Sequence, residues 1–215
     1  MIADEEREGF AAFLLRMRAR NVTSTELFSA MEETPRGSFV PSEWRDWVWS
    51  NRAIPIECGE TLESCDLQAT IIHALELAPG KRVLEIGTGS GYTAAVIARI
   101  AERVLSVDRY KTLVEQAIQR HQSLGIDNII VRQGDGLEGA NDGPFDRIVS
   151  WAAFDEMPRR FADFLTSDGI MVAPIGPGDD VQTLSKLAKV GSRFERTDLE
   201  SLRMQPLIKG VAQAL

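Results

Sequence analysis

The chain has 215 residues, of which 44% are hydrophobic and 26% are charged, and its formal net charge at pH 7 is −8. This length suits one domain with a buried core and is short for two. The acidic balance argues against a broad nucleic-acid surface, because phosphate binding needs clustered Lys and Arg, and the apolar stretches are too short to cross a bilayer.

The first ten residues, MIADEEREGF, are acidic and lack the basic and apolar regions of a signal peptide. We therefore expect a cytoplasmic protein whose two cysteines, Cys58 and Cys65, are reduced thiols. A metal site would need two further ligands beside these thiols, and the chain has only His73 and His121, so no metal is predicted. His73 is expected in the core or at its rim, and His121 on a solvated helix face.

The first 78 residues predict helices and short irregular pieces. Helical spacing of apolar residues predicts one helix over 4–20, a second from Ser24 to the residue before Pro35, and a third over 66–78. The aromatic-rich stretch over 35–56 contains three prolines and predicts short helical and extended pieces. We interpret 1–78 as an N-terminal helical and substrate-side segment.

From residue 79 onward, predicted strands alternate with predicted helices. The predicted strands are 82–87, 103–108, 128–135, 145–151 and 169–176, and the predicted helices are 90–101, 113–125 and 158–165. This alternation indicates parallel strands with right-handed crossovers, hence a doubly wound α/β sheet. The segments 182–190 and beyond Phe194 are candidates for antiparallel edge strands. We interpret 79–215 as the cofactor-binding core of a single domain, 1–215.

The stretch LEIGTGSGY places Glu85 and three glycines between a predicted strand and a predicted helix, where ligands bind in open α/β sheets. A dinucleotide site requires its third glycine at position 92, which is Tyr92 here. The early third glycine and the carboxylate of Glu85 favour S-adenosylmethionine, which has no pyrophosphate and carries a positive amino group and sulfonium.

Two further predicted strands also end in acidic residues. Asp108 ends the second strand, where a carboxylate can accept hydrogen bonds from both hydroxyl groups of a ribose. Asp135 follows the third strand between two glycines and can accept a hydrogen bond from an adenine amino group. The alternative is that the glycines only form a turn and the acids only cap helices.

From Pro35 to Leu207 the chain resembles the protein-L-isoaspartate O-methyltransferases. The stretches that carry the resemblance are PRGSFVP, IPIECGETL, VLEIGTGSGYTAAVIA, GDGLEG, GPFDRIV and QPLIKG. The resemblance implies a Rossmann-like, mostly parallel, seven-stranded methyltransferase sheet with an N-terminal helical segment. It also implies S-adenosylmethionine as cofactor and methylation of the α-carboxylate of isoaspartyl residues in a protein or peptide substrate. The oligomeric state stays open.

The resemblance also implies the site residues. The predicted cofactor-binding residues are Glu85, Gly87, Thr88, Gly89, Ser90, Gly91, Asp108, Arg109, Asp135 and Gly136. The predicted substrate-side residues are Thr61, Trp151 and Ala152. The predicted catalytic residues are Glu63 and Ser64.

The acceptor side departs from the family pattern. The family's serine falls on Glu63 and its proline on Cys65, with Ser64 one position late, while Asn51 and Trp151 replace an aspartate and a small residue. A carboxylate at Glu63 would repel an acceptor carboxylate unless protonated, and would suit a neutral or cationic acceptor. The alternatives are therefore a methyltransferase with a different acceptor and a cofactor-binding protein without isoaspartyl activity. A structural alternative is that Glu63 only favours the start of the following helix.

Overall fold

The computed structural model describes residues 6–138 and 142–212. Within these residues the α-helices are α1 (Arg7–Ala19), α2 (Thr25–Glu33), α3 (Cys65–Ala74), α4 (Tyr92–Ala98) and α5 (Lys111–Ser123). The strands are β1 (Ile54–Pro55), β2 (Thr61–Leu62), β3 (Arg82–Ile86), β4 (Arg103–Asp108), β5 (Ile129–Gln133), β6 (Phe145–Ser150), β7 (Leu165–Ile175), β8 (Gln182–Val190) and β9 (Arg193–Leu202). Residues 4 and 5 of the predicted first helix lie outside the described residues.

Two predicted helices are shorter than expected or of another type. The third helix ends at Ala74, four residues early, and Glu76 then adopts a positive φ of 51°. The predicted helix over 158–165 is a 3₁₀ turn, Arg159–Phe164, which leads directly into β7. Helix starts agree better with the sequence, since the Ser24 side chain accepts a hydrogen bond from the Leu27 amide and caps α2.

Seven strands form one sheet in the order β5-β4-β3-β6-β7-β8-β9. The strands from β5 to β7 pair in parallel, and β8 and β9 add antiparallel pairs at the far edge. The predicted α/β fold with a mostly parallel seven-stranded sheet is therefore confirmed. Strands β1 and β2 form a separate antiparallel ribbon before α3.

Apolar side chains cover both faces of the sheet. One buried cluster joins the N-terminal helices to α4 and includes Phe13, Met17 and Tyr92. The other includes Leu84, Ile148 and Phe161 on the opposite face. No helix in the described part of the chain is long and apolar enough to span a membrane.

An ion pair attaches the N-terminal helix to the segment that precedes the sheet. The Arg16 guanidinium, on α1, donates to Asp66 in the first turn of α3, with Nη2 2.7 Å from Oδ1. The same nitrogen donates to the Trp49 carbonyl oxygen at 2.7 Å. Asp66 is buried, so this charge-assisted contact fixes α3 and the ribbon before it.

Candidate active site

A cleft opens where the parallel strands β3, β4 and β6 end, at the edge where open α/β sheets bind ligands. Its walls come from the segments 60–63, 86–89, 107–113, 151–152 and 205–208, and from Gly136. The cleft therefore joins the predicted cofactor residues at the strand ends to the predicted substrate-side residues near the β1–β2 ribbon. The last segment, 205–208, was not among the predicted site residues.

Glycines of the loop between β3 and α4 have different roles. Gly89 has a φ of 51°, and a Cβ added to it would meet only Ile56 Cδ1, at 3.5 Å, so its backbone is open on the cleft side. Gly91 has a φ of 87°, and an added Cβ would lie 2.8 Å from His121 Nε2 and 2.9 Å from Ala117 Cβ. Gly89 thus leaves room for a ligand, whereas Gly91 leaves room for α5.

Helix α5 holds this loop through two side chains. His121 is buried, and its Nε2 lies 2.8 Å from the Gly91 carbonyl oxygen. The expectation of a solvated His121 was therefore wrong, because the imidazole packs under the glycine loop and burial lowers its pKa. The Arg120 guanidinium donates to the Ser90 carbonyl oxygen at 3.0 Å. The backbone of the loop is thereby fixed without a ligand.

The side chains of Thr88 and Ser90 belong to the interior of the loop. Both residues are buried. The Thr88 hydroxyl lies 2.6 Å from Ser106 Oγ, and Ser106 donates to Glu85 Oε2 at 2.6 Å. Within the described residues, neither Thr88 nor Ser90 forms part of the cleft wall. Their predicted part in cofactor binding would have to come from the backbone.

Glu85 is fully buried beneath the cleft. Its Oε1 accepts hydrogen bonds from Thr93 Oγ1 at 2.5 Å and from Trp151 Nε1 at 3.0 Å. Burial raises the pKa of this carboxyl to about 7, against the lowering effect of the bonds from Ser106, Thr93 and Trp151. Glu85 is not among the described residues that line the cleft, whereas Trp151, which donates to it, is one of them.

Asp108 is largely buried and lines the cleft at the end of β4. Its Oδ2 accepts from the Gly89 amide at 2.9 Å and its Oδ1 from the Tyr110 amide at 3.0 Å. Burial raises the pKa of Asp108, and the backbone amides of Tyr110 and Gly89 act in the opposite direction. Each oxygen keeps a lone pair for a further donor, as recognition of a ribose requires.

A second carboxylate, Glu60, lines the same part of the cleft and was missed in the sequence. Burial and the nearby charge of Asp108 raise its pKa, whereas Tyr110 and Arg109 lower it. Arg109 also lines the cleft, as predicted, with its guanidinium 5.3 Å from the centre of the Tyr110 ring. The acid in CGETL was visible, but only the fold of the ribbon brings it to the end of β4.

The C-terminal segment packs against Asp135, a predicted cofactor-binding residue that the described lining of the cleft does not include. Asp135 Oδ1 accepts from the Leu137 amide at 2.9 Å, and Oδ2 accepts from the Gly210 amide at 2.7 Å. The Ala212 amide donates to the Arg109 carbonyl oxygen at 3.0 Å. Gly136 lines the cleft as predicted, and an added Cβ there would lie 2.5 Å from Ile86 Cγ2. The bare backbone at Gly136 thus leaves room for the side chains of Ile86 and Leu207, which pack against it in the cleft wall.

On the acceptor side, Thr61 and Glu63 line the cleft together with Trp151 and Ala152. The Thr61 hydroxyl donates to Glu63 Oε1 at 3.3 Å. Burial raises the pKa of Glu63, and the Thr61 hydroxyl and the Arg36 guanidinium lower it. The structure therefore brings these predicted substrate-side and catalytic residues together at one end of the cleft.

Ser64 has a different position from Glu63. It is buried, and its hydroxyl accepts from the Leu67 amide at 3.2 Å, which makes it the N-cap of α3. The described lining of the cleft does not include Ser64. Its assigned catalytic role stays a prediction, whereas Glu63 has the side chain that faces the cleft.

The two cysteines have the surroundings of structural residues, and His73 lies on the surface. Cys58 and Cys65 are free, and burial raises the pKa of Cys65 to about 12. Cys65 Sγ donates to the Ser50 carbonyl oxygen at 3.3 Å, which is the contact of a small buried side chain at a helix start. His73 is exposed, so its expected place in or beside the core was wrong. No group of three metal-ligating side chains occurs in 6–138 and 142–212.

The chemistry of the cleft fits S-adenosylmethionine. Asp108 and Glu60 supply acceptors for a ribose, and the apolar side chains of Val107, Leu113 and Leu207 supply walls for a flat base. Acidic residues on the wall also suit a ligand with a positive sulfonium and amino group. Gly89 leaves the backbone bare where a ligand must approach closely.

The family model for protein-L-isoaspartate(D-aspartate) O-methyltransferase (PCMT) matches residues 11–212. The chain is 45% identical over 202 residues to the protein-L-isoaspartate O-methyltransferase of Rhizobium meliloti (strain 1021), covering 94% of this chain and 99% of that protein. It is 41% identical over 214 residues to the Azorhizobium caulinodans protein of the same name, covering 99% of each.

Solved structures agree in fold. A protein-L-isoaspartate O-methyltransferase structure has a TM-score of 0.79 and 26% identity, over 92% of this chain and 65% of the other. A Plasmodium falciparum structure described as a beta-aspartate methyltransferase in complex with S-adenosyl-L-homocysteine has a TM-score of 0.78 and 22% identity, over 93% and 98% of the two chains. The chain belongs to the protein-L-isoaspartate O-methyltransferase family of S-adenosylmethionine-dependent methyltransferases.

Proposed function

We propose that this protein transfers a methyl group from S-adenosylmethionine to the α-carboxylate of isoaspartyl residues in proteins and peptides. The observation that carries the proposal is the single cleft, in which Asp108 at the cofactor end and Glu63, Thr61 and Trp151 at the acceptor end share one space. A methyl donor and an acceptor must meet in such a space. Family membership supports the choice of acceptor.

The reaction requires the side chains mainly to position the methyl donor and the acceptor. Bound S-adenosylmethionine supplies an electrophilic methyl group on a positively charged sulfur, which keeps the electron pair of the broken bond. The acceptor is already an anion at neutral pH, because an α-carboxyl group has a pKa near 3.5. No general base is needed, so the protein contributes proximity, orientation and a cleft with little water.

Different residues of this chain would bind the cofactor and orient the acceptor. Asp108 and Glu60 would accept hydrogen bonds from the hydroxyl groups of the ribose, because both carboxylates line the cofactor end of the cleft. Thr61 would orient Glu63 through its hydroxyl, as it does here at 3.3 Å. Glu63 would face the acceptor, and its raised pKa reduces the repulsion that a fully ionised carboxylate would exert.

The test is methyl transfer from labelled S-adenosylmethionine to an isoaspartyl peptide, with the aspartyl peptide of the same sequence as control. We expect a base-labile methyl ester on the isoaspartyl peptide alone. Asp108→Ala should abolish most of this label by weakening cofactor binding. Normal binding of S-adenosylhomocysteine with no label on the isoaspartyl peptide would contradict the proposed acceptor.

One observation favours a second candidate function. Glu60, Glu63 and Asp108 place three carboxylates on one cleft, and this arrangement suits a neutral or cationic acceptor better than an anion. The second candidate is therefore methylation of an amine or amide acceptor with Glu63 as the orienting group. Label that enters an intact protein extract as a base-stable product would favour it. Action in the cytoplasm stays a prediction in both cases.

A further inference from the structure

The contact between Trp151 and Glu85 joins a predicted substrate-side residue to a predicted cofactor-binding residue. Trp151 is the first residue after β6 and lines the cleft, whereas Glu85 lies behind it on β3 and is fully buried. The indole Nε1 donates to Glu85 Oε1 at 3.0 Å. The buried carboxylate therefore reaches the described cleft wall through the indole.

Three contacts fix the position of Trp151. Its backbone amide donates to the Ile86 carbonyl oxygen at 2.9 Å. Its Cβ lies 3.2 Å from the point where a Cβ on Gly87 would stand, so the base of the side chain packs over the bare backbone of the glycine loop. Its Nε1 is held by Glu85. A ring anchored at its backbone, at its base and at its polar edge has little freedom to rotate.

Glu85 is well suited to hold a neighbouring donor and poorly placed to meet a ligand. The hydroxyl groups of Thr93 and Ser106 donate hydrogen bonds to the Glu85 carboxylate oxygens at 2.5 and 2.6 Å, and the Trp151 indole is the third donor. A buried carboxylate requires such donors. For a ligand to contact Glu85, the indole would first have to leave its place.

The rigid indole stands at the acceptor end of the cleft. Thr61 and Glu63 belong to the same cleft and come from the ribbon and the start of α3, on another part of its wall. An acceptor group that approaches the methyl group has to fit between these elements. A large, immobile ring there determines which acceptors fit.

We propose that Trp151, locked in place by Glu85, is the specificity-determining residue of the acceptor end, and that Glu85 acts by positioning this indole. The inference rests on the proposed function for the identity of the acceptor. Glu85 is thus a positioning residue, which differs from the contact with the amino-acid part of the cofactor, direct or through water, that the sequence suggested.

The first test compares Trp151→Phe with Thr93→Val. Each variant removes one donor from Glu85, but only Trp151 lines the cleft, so Thr93→Val is the matched control for the loss of a buried hydrogen bond. For Trp151→Phe we expect the KM for an isoaspartyl peptide to rise about tenfold while the Kd of S-adenosylhomocysteine changes less than about threefold. Thr93→Val should leave the KM within about twofold of the parent protein.

Two outcomes of this comparison would overturn the proposal. Equal changes in KM for the two variants would mean that Trp151 only supports the fold. A tenfold loss of S-adenosylhomocysteine binding in Trp151→Phe, with an unchanged KM, would make Trp151 a cofactor residue. Melting temperatures of the two variants are measured alongside, and similar values make the kinetic comparison valid.

A second measurement does not depend on catalysis. The chain has four tryptophans, so nitrogen-15 labelling gives four indole N–H resonances, and that of Trp151 is the one missing from Trp151→Phe. Adding isoaspartyl peptide to the complex with S-adenosylhomocysteine should shift this resonance, while the aspartyl control peptide should leave it in place. If the enzyme methylates the peptide but this resonance does not move, the inference fails and the proposed function stands. If the resonance moves but no methyl is transferred, the proposed function fails and the role of Trp151 stands.

Discussion

The buried guanidinium of Arg36 donates to the backbone carbonyl oxygen of Glu63, with Nη2 2.7 Å from the oxygen. The same guanidinium donates to Gln68 and lies 4.5 Å from the centre of the Tyr92 ring. Arg36 is entirely inaccessible to solvent, so these contacts replace its hydration. A cation from the segment before the sheet thereby fixes the backbone of Glu63, which lines the cleft.

Arg36→Lys should therefore weaken both the fold and acceptor binding. A lysine keeps the charge but cannot donate in two directions from a flat fork or stack on Tyr92 in the same way. We expect the free energy of unfolding to fall by about 2–3 kcal/mol and the KM for an isoaspartyl peptide to rise. Denaturant unfolding and peptide kinetics measure the two effects. Arg45→Lys, at an exposed arginine nearby, is the control and should change neither.

Asp108→Ala should weaken the binding of S-adenosylhomocysteine by about 1.5–3 kcal/mol, because it removes a charged acceptor from the cleft. Asp108→Asn keeps the shape and one acceptor oxygen, so its loss should be smaller. Calorimetry at constant pH gives both values. Equal affinity in the parent and Asp108→Ala would remove Asp108 from the cofactor site.

Gly89→Val and Gly91→Val should separate binding from stability. Both positions have positive φ, so both variants incur a backbone cost of about 1–2 kcal/mol. Only Gly91 has neighbours closer than 3 Å to an added Cβ, so Gly91→Val should lower the melting temperature further. Gly89→Val should lose cofactor binding at a temperature where it is still folded. The prediction fails if the two variants unfold alike and Gly89→Val binds normally.

Glu63 should make methylation of an isoaspartyl peptide depend on pH. Its raised pKa means that its ionised fraction, and the repulsion of the acceptor carboxylate, grow as the pH rises through the titration of Glu63. The neighbouring charges are Arg36, which lowers this pKa, and the carboxylates of Glu60 and Asp108 on the same cleft. We expect kcat/KM to fall as the pH rises through the titration of Glu63.

Glu63→Gln and Glu63→Ser are the matched variants for this effect. Each removes the charge and supplies a hydrogen-bond donor toward the acceptor, so each should raise kcat/KM at pH 8, by on the order of tenfold for about 1.4 kcal/mol of relieved repulsion. The pH dependence assigned to Glu63 should disappear in both. Lower activity of Glu63→Ser at every pH would show that Glu63 assists the reaction in its ionised form.

His121 should make the protein less stable in mild acid. Burial lowers its pKa in the folded state, so the unfolded chain binds a proton first as the pH falls below about 6.5. The associated stability is complete above that pH and is lost as the pH falls toward the lowered folded value. The change in melting temperature between pH 7.5 and pH 5.5 should shrink in His121→Gln. The exposed His73 supplies the control, since His73→Gln should leave this change as in the parent protein.

The fold could be predicted from the sequence because its signals are local. Each parallel strand is a short apolar run followed by a turn, and the family stretches occur in chain order. The cap of α3 was equally local, since Ser64 precedes a helical pattern and its hydroxyl meets the amide three residues on. The type and the end of an element were less predictable, as the early end of α3 shows.

The parts of the site that were not predicted depend on contacts between distant residues. Glu85 turns away from the cleft because a tryptophan 66 positions later donates to it. His121 is buried because Gly91, 30 positions earlier, leaves space for its ring. Glu60 reaches Asp108 only when the β1–β2 ribbon has formed. Residue type and spacing carry no information about such pairs.

The segment 205–208 follows every strand of the sheet in the chain, yet it forms one wall of the cleft. During synthesis on a ribosome, β3 to β9 emerge before this wall does. Pairing of the strands alone therefore leaves the cofactor end without one side. Tight retention of the cofactor also requires the hydrogen bonds that the amides of Leu207, Gly210 and Ala212 donate to Ala153, Asp135 and Arg109.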